Sequence, residues 1–182
     1  MEKILITGTG RCGTTFLIKL FSFLGFNTGY NKDRYRSSIS PNCNSGMERR
    51  YNENYYILKN PLFMANIETI IKDPSIKIKS VIIPIRDLKT AAKSRVRHGR
   101  QRGGLWNAND ELSQINFFKN ILTNYIFIAT KYDINTIFID FDKMINDKKY
   151  LFIKLHHILN EKNIDLDTFS RVYDEVSLTS KP

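Results

Sequence analysis

The sequence predicts an α/β fold, with a mainly parallel central sheet and helices on both faces. Short β-type apolar runs alternate with longer segments of helical period along the chain. The first run turns through a glycine-rich stretch straight into a helical pattern. With 182 residues and 42% hydrophobic content, the chain can bury one core without disulfides or metals, so one domain over 1–182 is expected.

Lys3-Ile4-Leu5-Ile6-Thr7 reads as a strand over 3–7, and the apolar pattern starting at Phe16 as a helix over 14–25. Residues 27–54 carry many Asn, Ser, Tyr, Arg and Gly with little periodicity, which marks an irregular segment. A strand over 55–58 and a helix over 62–72 come next. Val81-Ile82-Ile83-Pro84-Ile85 gives a strand over 79–85, followed by a helix over 87–98. Residues 99–109, rich in Gly, Arg and Asn, form a second irregular segment ahead of a long helix over 110–131. A strand over 135–139 and helices over 147–160 and 165–174 complete the alternation. Apolar positions 151, 152, 155, 158 and 159 recur at helical spacing and belong to core rather than to chemistry.

Between the first strand and the first helix stands Gly8-Thr9-Gly10-Arg11-Cys12-Gly13-Thr14-Thr15. A strand that turns abruptly into a helix leaves unpaired N–H groups at the positive end of the helix dipole, where anions bind. The glycines let the backbone approach a phosphate closely, and the hydroxyls of Thr14 and Thr15 add donors. This is a phosphate-binding loop without its lysine, because the residue after the last glycine is Thr14. A positive charge stands instead at Arg11. A second pair has a geometric reason of its own: Arg86 closes a strand and Ser94 follows eight residues later, about two helical turns on. Both can face the crevice outside the carboxyl ends of the strands, where the N-terminal loop also emerges.

Arg11-Cys12-Gly13-Thr14-Thr15-Phe16-Leu17 resembles the 5′-phosphosulfate loop of the P-loop sulfotransferases, which reads Lys or Arg, Ser, Gly, Thr, Thr or Ser, then often an aromatic. The family's second signature, a strand ending in Arg with a Ser eight residues on, grips the 3′-phosphate of the nucleotide. Arg86 and Ser94 are similar to it in type and spacing. Residues 136–155 resemble the family's closing strand, acidic step, Asp turn and helix. The resemblance covers most of the chain and implies a three-layer P-loop fold. It also implies transfer of a sulfuryl group from 3′-phosphoadenosine 5′-phosphosulfate (PAPS) to an acceptor hydroxyl or amine. By the resemblance, Gly10, Arg11, Cys12, Gly13, Thr14 and Thr15 would hold the 5′ end, Phe16 would contact adenine, unless as the first apolar helix residue it belongs to the core, and Arg86 and Ser94 would hold the 3′-phosphate. Segments 27–54 and 99–109 would bind the acceptor and cover the site.

Sulfuryl transfer needs a group that removes the acceptor proton and a cation that steadies charge on the departing bridging oxygen. Arg11 fits the second role. For the first, the resemblance points to a Glu after the first helix, and Glu48 is chosen ahead of Glu53, Asp33 and His98. A solvated carboxylate paired to Arg49 or Arg50 is the other reading of Glu48. Lys59, in Ile57-Leu58-Lys59-Asn60-Pro61, resembles the family's Lys-x-Pro step and would point into the site; an ordinary strand-terminal lysine is the alternative. Tyr30 and Trp106 would line an acceptor pocket, unless Trp106 only anchors its loop. No metal is required, because sulfate carries less charge than a terminal phosphate and lacks the β,γ bridge that Mg²⁺ spans. Two other classes stand beside this reading. One is a P-loop small-molecule or nucleotide kinase, against which the missing lysine counts, and the other a non-catalytic nucleotide or polyanion-binding protein.

The formal net charge is +10, and the densest basic stretch holds Lys89, Lys93, Arg95, Arg97, Arg100 and Arg102. Such a rim would attract a phosphorylated nucleotide. Lys, Asn and Ile are abundant throughout, which accounts for part of the charge, and no nucleic-acid-binding pattern accompanies it, so nucleic acid is not an expected partner. Cys12 and Cys43 make no disulfide framework. Cys12 sits where a helix N-terminus would lower a thiol pKa, but the family position is Ser, so it reads as a structural loop residue. His156-His157 are adjacent and His98 stands alone, giving no zinc spacing and no expected metal. Without a signal-type segment or an apolar run of about 20 residues, the expectation is a soluble, cytoplasmic protein. Its partner would be a small-molecule or saccharide acceptor, with no membrane contact.

Overall fold

A computed structural model describes residues 2–40, 45–98 and 104–179. At its centre lies a four-stranded parallel sheet of order β2-β1-β3-β4. The strands are β1 (Glu2–Ile6), β2 (Ile57–Lys59), β3 (Lys77–Ile85) and β4 (Thr136–Asp140). Around them pack α1 (Thr14–Phe23), α2 (Ile67–Ile71), α3 (Leu88–His98), α4 (Glu111–Lys131), α5 (Phe141–Asn146), α6 (Lys148–Leu159) and α7 (Leu166–Leu178).

The alternation of side chains along each strand divides the core in two. Ile4, Ile6, Ile57, Ile82 and Ile139 are buried on one face with Leu17 and Phe21 of α1, Leu155 of α6 and Phe169 of α7. Leu5, Leu58, Val81 and Ile83 are buried on the other with Ile67 and Ile70 of α2 and Tyr125 of α4. Both faces are covered, as a parallel sheet requires. Ala91 and Ala92 of α3 pack on Phe118 of α4 and extend the second layer past the sheet.

From β1 the chain steps to β2 on one side; from β3 it steps to β4 on the other. β1 and β3 are therefore neighbours whose outgoing connections diverge, and their carboxyl ends open a crevice of the kind that holds ligands in open α/β sheets. Pro84 lies beside this opening, in a strand interior that proline normally avoids. The Val81 N–H bonds to Asn135 O on the β4 side, so Ile82 and Pro84 face β1. Pairing with β1 ends at Ile6–Ile82, with the Thr7 N–H donating to Ile82 O. The next bond of a regular parallel ladder would run from an N–H at residue 84 to Thr7 O, and proline has none to give, so β1 is released into its loop at that level.

The α/β class with a parallel sheet matches the expectation; several element bounds differ. The helix expected over 62–72 divides into a 3₁₀ turn, Pro61–Phe63, capped by Asn60, and the short α2. Helix α5 stands where only a turn was read, because six residues with Met144 as their one buried side chain are too few to display a period. Helix α1 stops at Phe23, two residues early, as Gly25 takes φ +79°. Helix α7 runs to Leu178, four residues beyond the expected end.

Ile82 is fully buried mid-sheet. Ile82→Ala is expected to cost about 2–5 kcal/mol, read as a lower urea midpoint at an unchanged slope.

Candidate functional site

The loop between β1 and α1 is pinned where it begins. Thr7 Oγ1 donates to Pro61 O (3.1 Å) and accepts from the Met64 N–H (3.0 Å). Gly10, Arg11 and Gly13 then take left-handed φ values of +75°, +58° and +86°, which costs the non-glycine Arg11 roughly 1–2 kcal/mol. Gly13 is the N-cap of α1; no side chain caps this helix and its first turn holds no acidic residue. Helices α3 to α7 differ, because Asp87, Asp110, Asp140, Asp147 and Asp165 each accept from a first-turn N–H at 2.7–2.9 Å. Among the described residues no side chain accepts from the first-turn N–H groups of α1, beside which stand buried Thr14 and half-buried Thr15.

Three residues singled out in the sequence meet at this loop. Arg11 Nε donates to Ser94 Oγ at 3.1 Å, and Arg86 Nη1 donates to the Arg11 carbonyl at 3.0 Å. Arg86 leaves the end of β3 with its guanidinium 4.5 Å from the Phe141 ring centroid. Among the described residues no carboxylate pairs with it. The spacing along α3 carries Ser94 to the same crevice.

Sequence reasoning gave Arg95 no role beyond the basic stretch, yet it is part of this cluster. Only 8% exposed, it donates from Nη1 to Gly104 O (2.6 Å) and from Nη2 to Thr9 O (3.3 Å). Its guanidinium also lies over Trp106 and Phe118. Burial, and then the Arg11 guanidinium, bring its pKa down to about 10. A signal was present: Arg95 stands one helical repeat after Ala91, which puts a cation on the buried face of α3.

Lys59 ends β2 with a buried ammonium that donates to Glu48 Oε1 (2.5 Å) and Gly46 O (3.0 Å), while Glu48 stays 42% exposed. The segment is fastened to β2 by the Arg49 N–H on Lys59 O (2.9 Å) and Asn60 Nδ2 on Arg49 O (3.1 Å). Lys59 and Cys12 are close enough to bias each other's ionisation, so the Lys59–Glu48 pair borders the loop. Burial pushes Lys59 below the usual lysine range, with Glu48 opposing the shift. The ion-pair partner of Glu48 is Lys59, not Arg49, which holds Glu53 (3.1 Å) and stacks on Tyr30 and Tyr55.

Of the two readings of Phe16, adenine contact or core, the structure shows the core placement. Its ring is buried in the main core, edge-on to Tyr173 with centroids 5.4 Å apart, because the first helical turn aims it at α7. Cys12 is fully buried, and burial pushes its thiol pKa up where the helix N-terminus alone would lower it. Tyr30 lines an open cleft of about 420 Å³ with Asn27, Asn31, Arg34, Ser38 and Arg49, and its hydroxyl donates to Glu48 O (3.3 Å). Trp106 anchors its segment through its backbone N–H, which donates to Gln114 Oε1 (2.6 Å), and through an edge contact of its ring with Phe117. Glu53 is taken up by Arg49 and the Arg50 N–H, and Asp33 is exposed. Cys43, Arg100, Arg102 and the side chain of His98 lie outside the described residues.

Among the described residues no group of His, Cys, Asp and Glu is placed to hold a metal ion, and no helix is long and apolar enough to cross a membrane. Comparison with protein-family models, curated proteins and solved structures gives no match.

In the unfolded chain Lys59 titrates near 10.5, and in the fold it releases its proton earlier. As pH rises toward 10.5 the unfolded state therefore holds more protons, and this group's contribution to stability rises with pH. Wild type is expected to gain stability relative to Lys59→Met as pH rises toward that value, as read by urea melts of both proteins.

Proposed function

We propose that the protein is a sulfotransferase with a three-layer P-loop fold, using PAPS as sulfuryl donor. The observation that supports this reading is the meeting of Arg11, Arg86 and Ser94 at the uncapped N-terminus of α1, on the crevice between β1 and β3. That crevice gathers cations and backbone donors, which suits a nucleotide carrying several negative charges.

In this reading the N–H groups and hydroxyls of Thr14 and Thr15, with the Arg11 guanidinium, take the 5′ end. Arg86 and Ser94 take the 3′-phosphate. Glu48 accepts the acceptor's proton as the acceptor oxygen attacks sulfur. The bond from sulfur to the bridging oxygen breaks, and adenosine 3′,5′-bisphosphate leaves with the electron pair. Arg11 and the positive end of α1 meet the new charge. Lys59 holds the Glu48 carboxylate in place. The acceptor approaches through the cleft beside Tyr30, Arg34 and Arg49, whose hydroxyl, amide and guanidinium lining suits a polar small molecule or a saccharide.

Calorimetric titration with adenosine 3′,5′-bisphosphate, AMP, and ATP with Mg²⁺ tests the reading. The bisphosphate is expected to bind best, and Arg86→Ala to weaken it by about tenfold or more and by a clearly larger factor than AMP, which loses only the support that Arg86 gives the Arg11 carbonyl. Equal losses for both nucleotides contradict the 3′ assignment, and preference for ATP with Mg²⁺ moves the protein to the kinase class. With an acceptor that gives turnover, Glu48→Gln is expected to keep bisphosphate affinity and lower kcat by about a hundredfold.

A further inference from the structure

The loop's backbone is shaped by two arginines that hold its carbonyls from outside. Arg95 takes the carbonyl of Thr9 and Arg86 takes that of Arg11. No described peptide bond is cis, and in a trans peptide the C=O and the following N–H point to opposite sides. The N–H groups of those same two peptides, at Gly10 and Cys12, turn to the opposite side, onto the buried Cys12 sulfur. Gly10 and Arg11, both left-handed, stand between the two held carbonyls, so the two arginines fix the backbone that leads into the α1 N-terminus.

Gly10 fits the same arrangement, since a Cβ there would collide with the Arg95 guanidinium. The same guanidinium reaches Gly104 O and the Trp106 ring, so one buried side chain ties the loop to the segment that precedes α4.

We infer that Arg95 is a positioning residue: by holding the Thr9 carbonyl it fixes the loop that leads into α1, and so keeps the Thr14 and Thr15 N–H groups where they receive the ligand's 5′ anionic group. This rests on reading the loop as an anion site, but not on which nucleotide binds. Arg86 differs, because beyond holding the Arg11 carbonyl it is assigned to the 3′-phosphate, so its loss would weaken the bisphosphate more than other ligands, whereas Arg95 acts only through a part of the loop that every phosphorylated ligand would use.

The test is calorimetric titration of inorganic pyrophosphate, then of ADP and adenosine 3′,5′-bisphosphate, into wild type, Arg95→Met and Arg95→Lys at constant ionic strength. Arg95→Met is expected to bind all three about tenfold or more weakly, by a common factor, while circular dichroism and a cooperative melt report a folded protein. Arg95→Lys, which can reach the Thr9 carbonyl but cannot also hold Gly104, is expected to recover part of the loss. The emission of Trp106, the one tryptophan in the chain, is expected to change on pyrophosphate binding in wild type and not in Arg95→Met. Unchanged pyrophosphate affinity in Arg95→Met, or no pyrophosphate binding by wild type, overturns the inference. If Arg95→Met does not fold, Arg95→Lys decides, and wild-type affinity in that variant overturns it. Pyrophosphate binding without preference for the bisphosphate sinks the sulfotransferase reading and leaves the role of Arg95 standing.

Discussion

The hydrogen bond from Arg86 Nη1 to the carbonyl of Arg11 joins the carboxyl end of β3 to the loop that leaves β1. Beyond Ile6 and Thr7 that loop has lost the sheet, so its shape has to be imposed by side chains reaching from elsewhere. Arg86 can do so because it follows a strand whose Val81, Ile82 and Ile83 are fully buried between two layers of helices. Its guanidinium is steadied by Phe141, the first residue of α5 after β4. The position of one loop carbonyl thus depends on β1, β3 and β4 together, and the core's rigidity reaches the crevice through that chain of contacts.

Cations gathered at this loop are costly to a free protein. Arg11, Arg86, Arg95 and Lys59 surround the positive end of α1, and burial lowers the pKa of both Arg95 and Lys59. Glu48 balances Lys59, and carbonyls and aromatic rings take the guanidiniums of Arg86 and Arg95. An arriving polyanion would offset the repulsion between these cations and supply the acceptors that the α1 N-terminus lacks. The absence of an aspartate cap on α1, in a chain that places one on each of α3 to α7, leaves that end of the helix open to such a ligand.

Much of this architecture is legible in the sequence because the physics involved is local. The strand, glycine turn and helix at residues 3–23 follow from apolar period and backbone freedom. The joining of Ser94 to Arg11, and through Arg11 to Arg86, follows from helical pitch. Contacts that depend on the folded chain are harder to read. Phe16 has the residue type of an adenine contact, but its direction is fixed by α7, more than a hundred residues away. The Cys12 thiol feels the burial around it more than the helix dipole, and Glu48 pairs with Lys59 across a turn instead of with its sequence neighbours. Arg95 was obscured by the abundance of basic residues around it, although helical spacing from Ala91 sets it on the buried face.

The most direct test of the central claim is a crystal structure with adenosine 3′,5′-bisphosphate bound. The account predicts the 5′-phosphate within hydrogen-bond distance of the Thr14 and Thr15 N–H groups, and the 3′-phosphate on Arg86 and Ser94, with Arg86 still reaching the Arg11 carbonyl. A bisphosphate bound away from the α1 N-terminus, or seated there with its 3′-phosphate remote from Arg86 and Ser94, would contradict it.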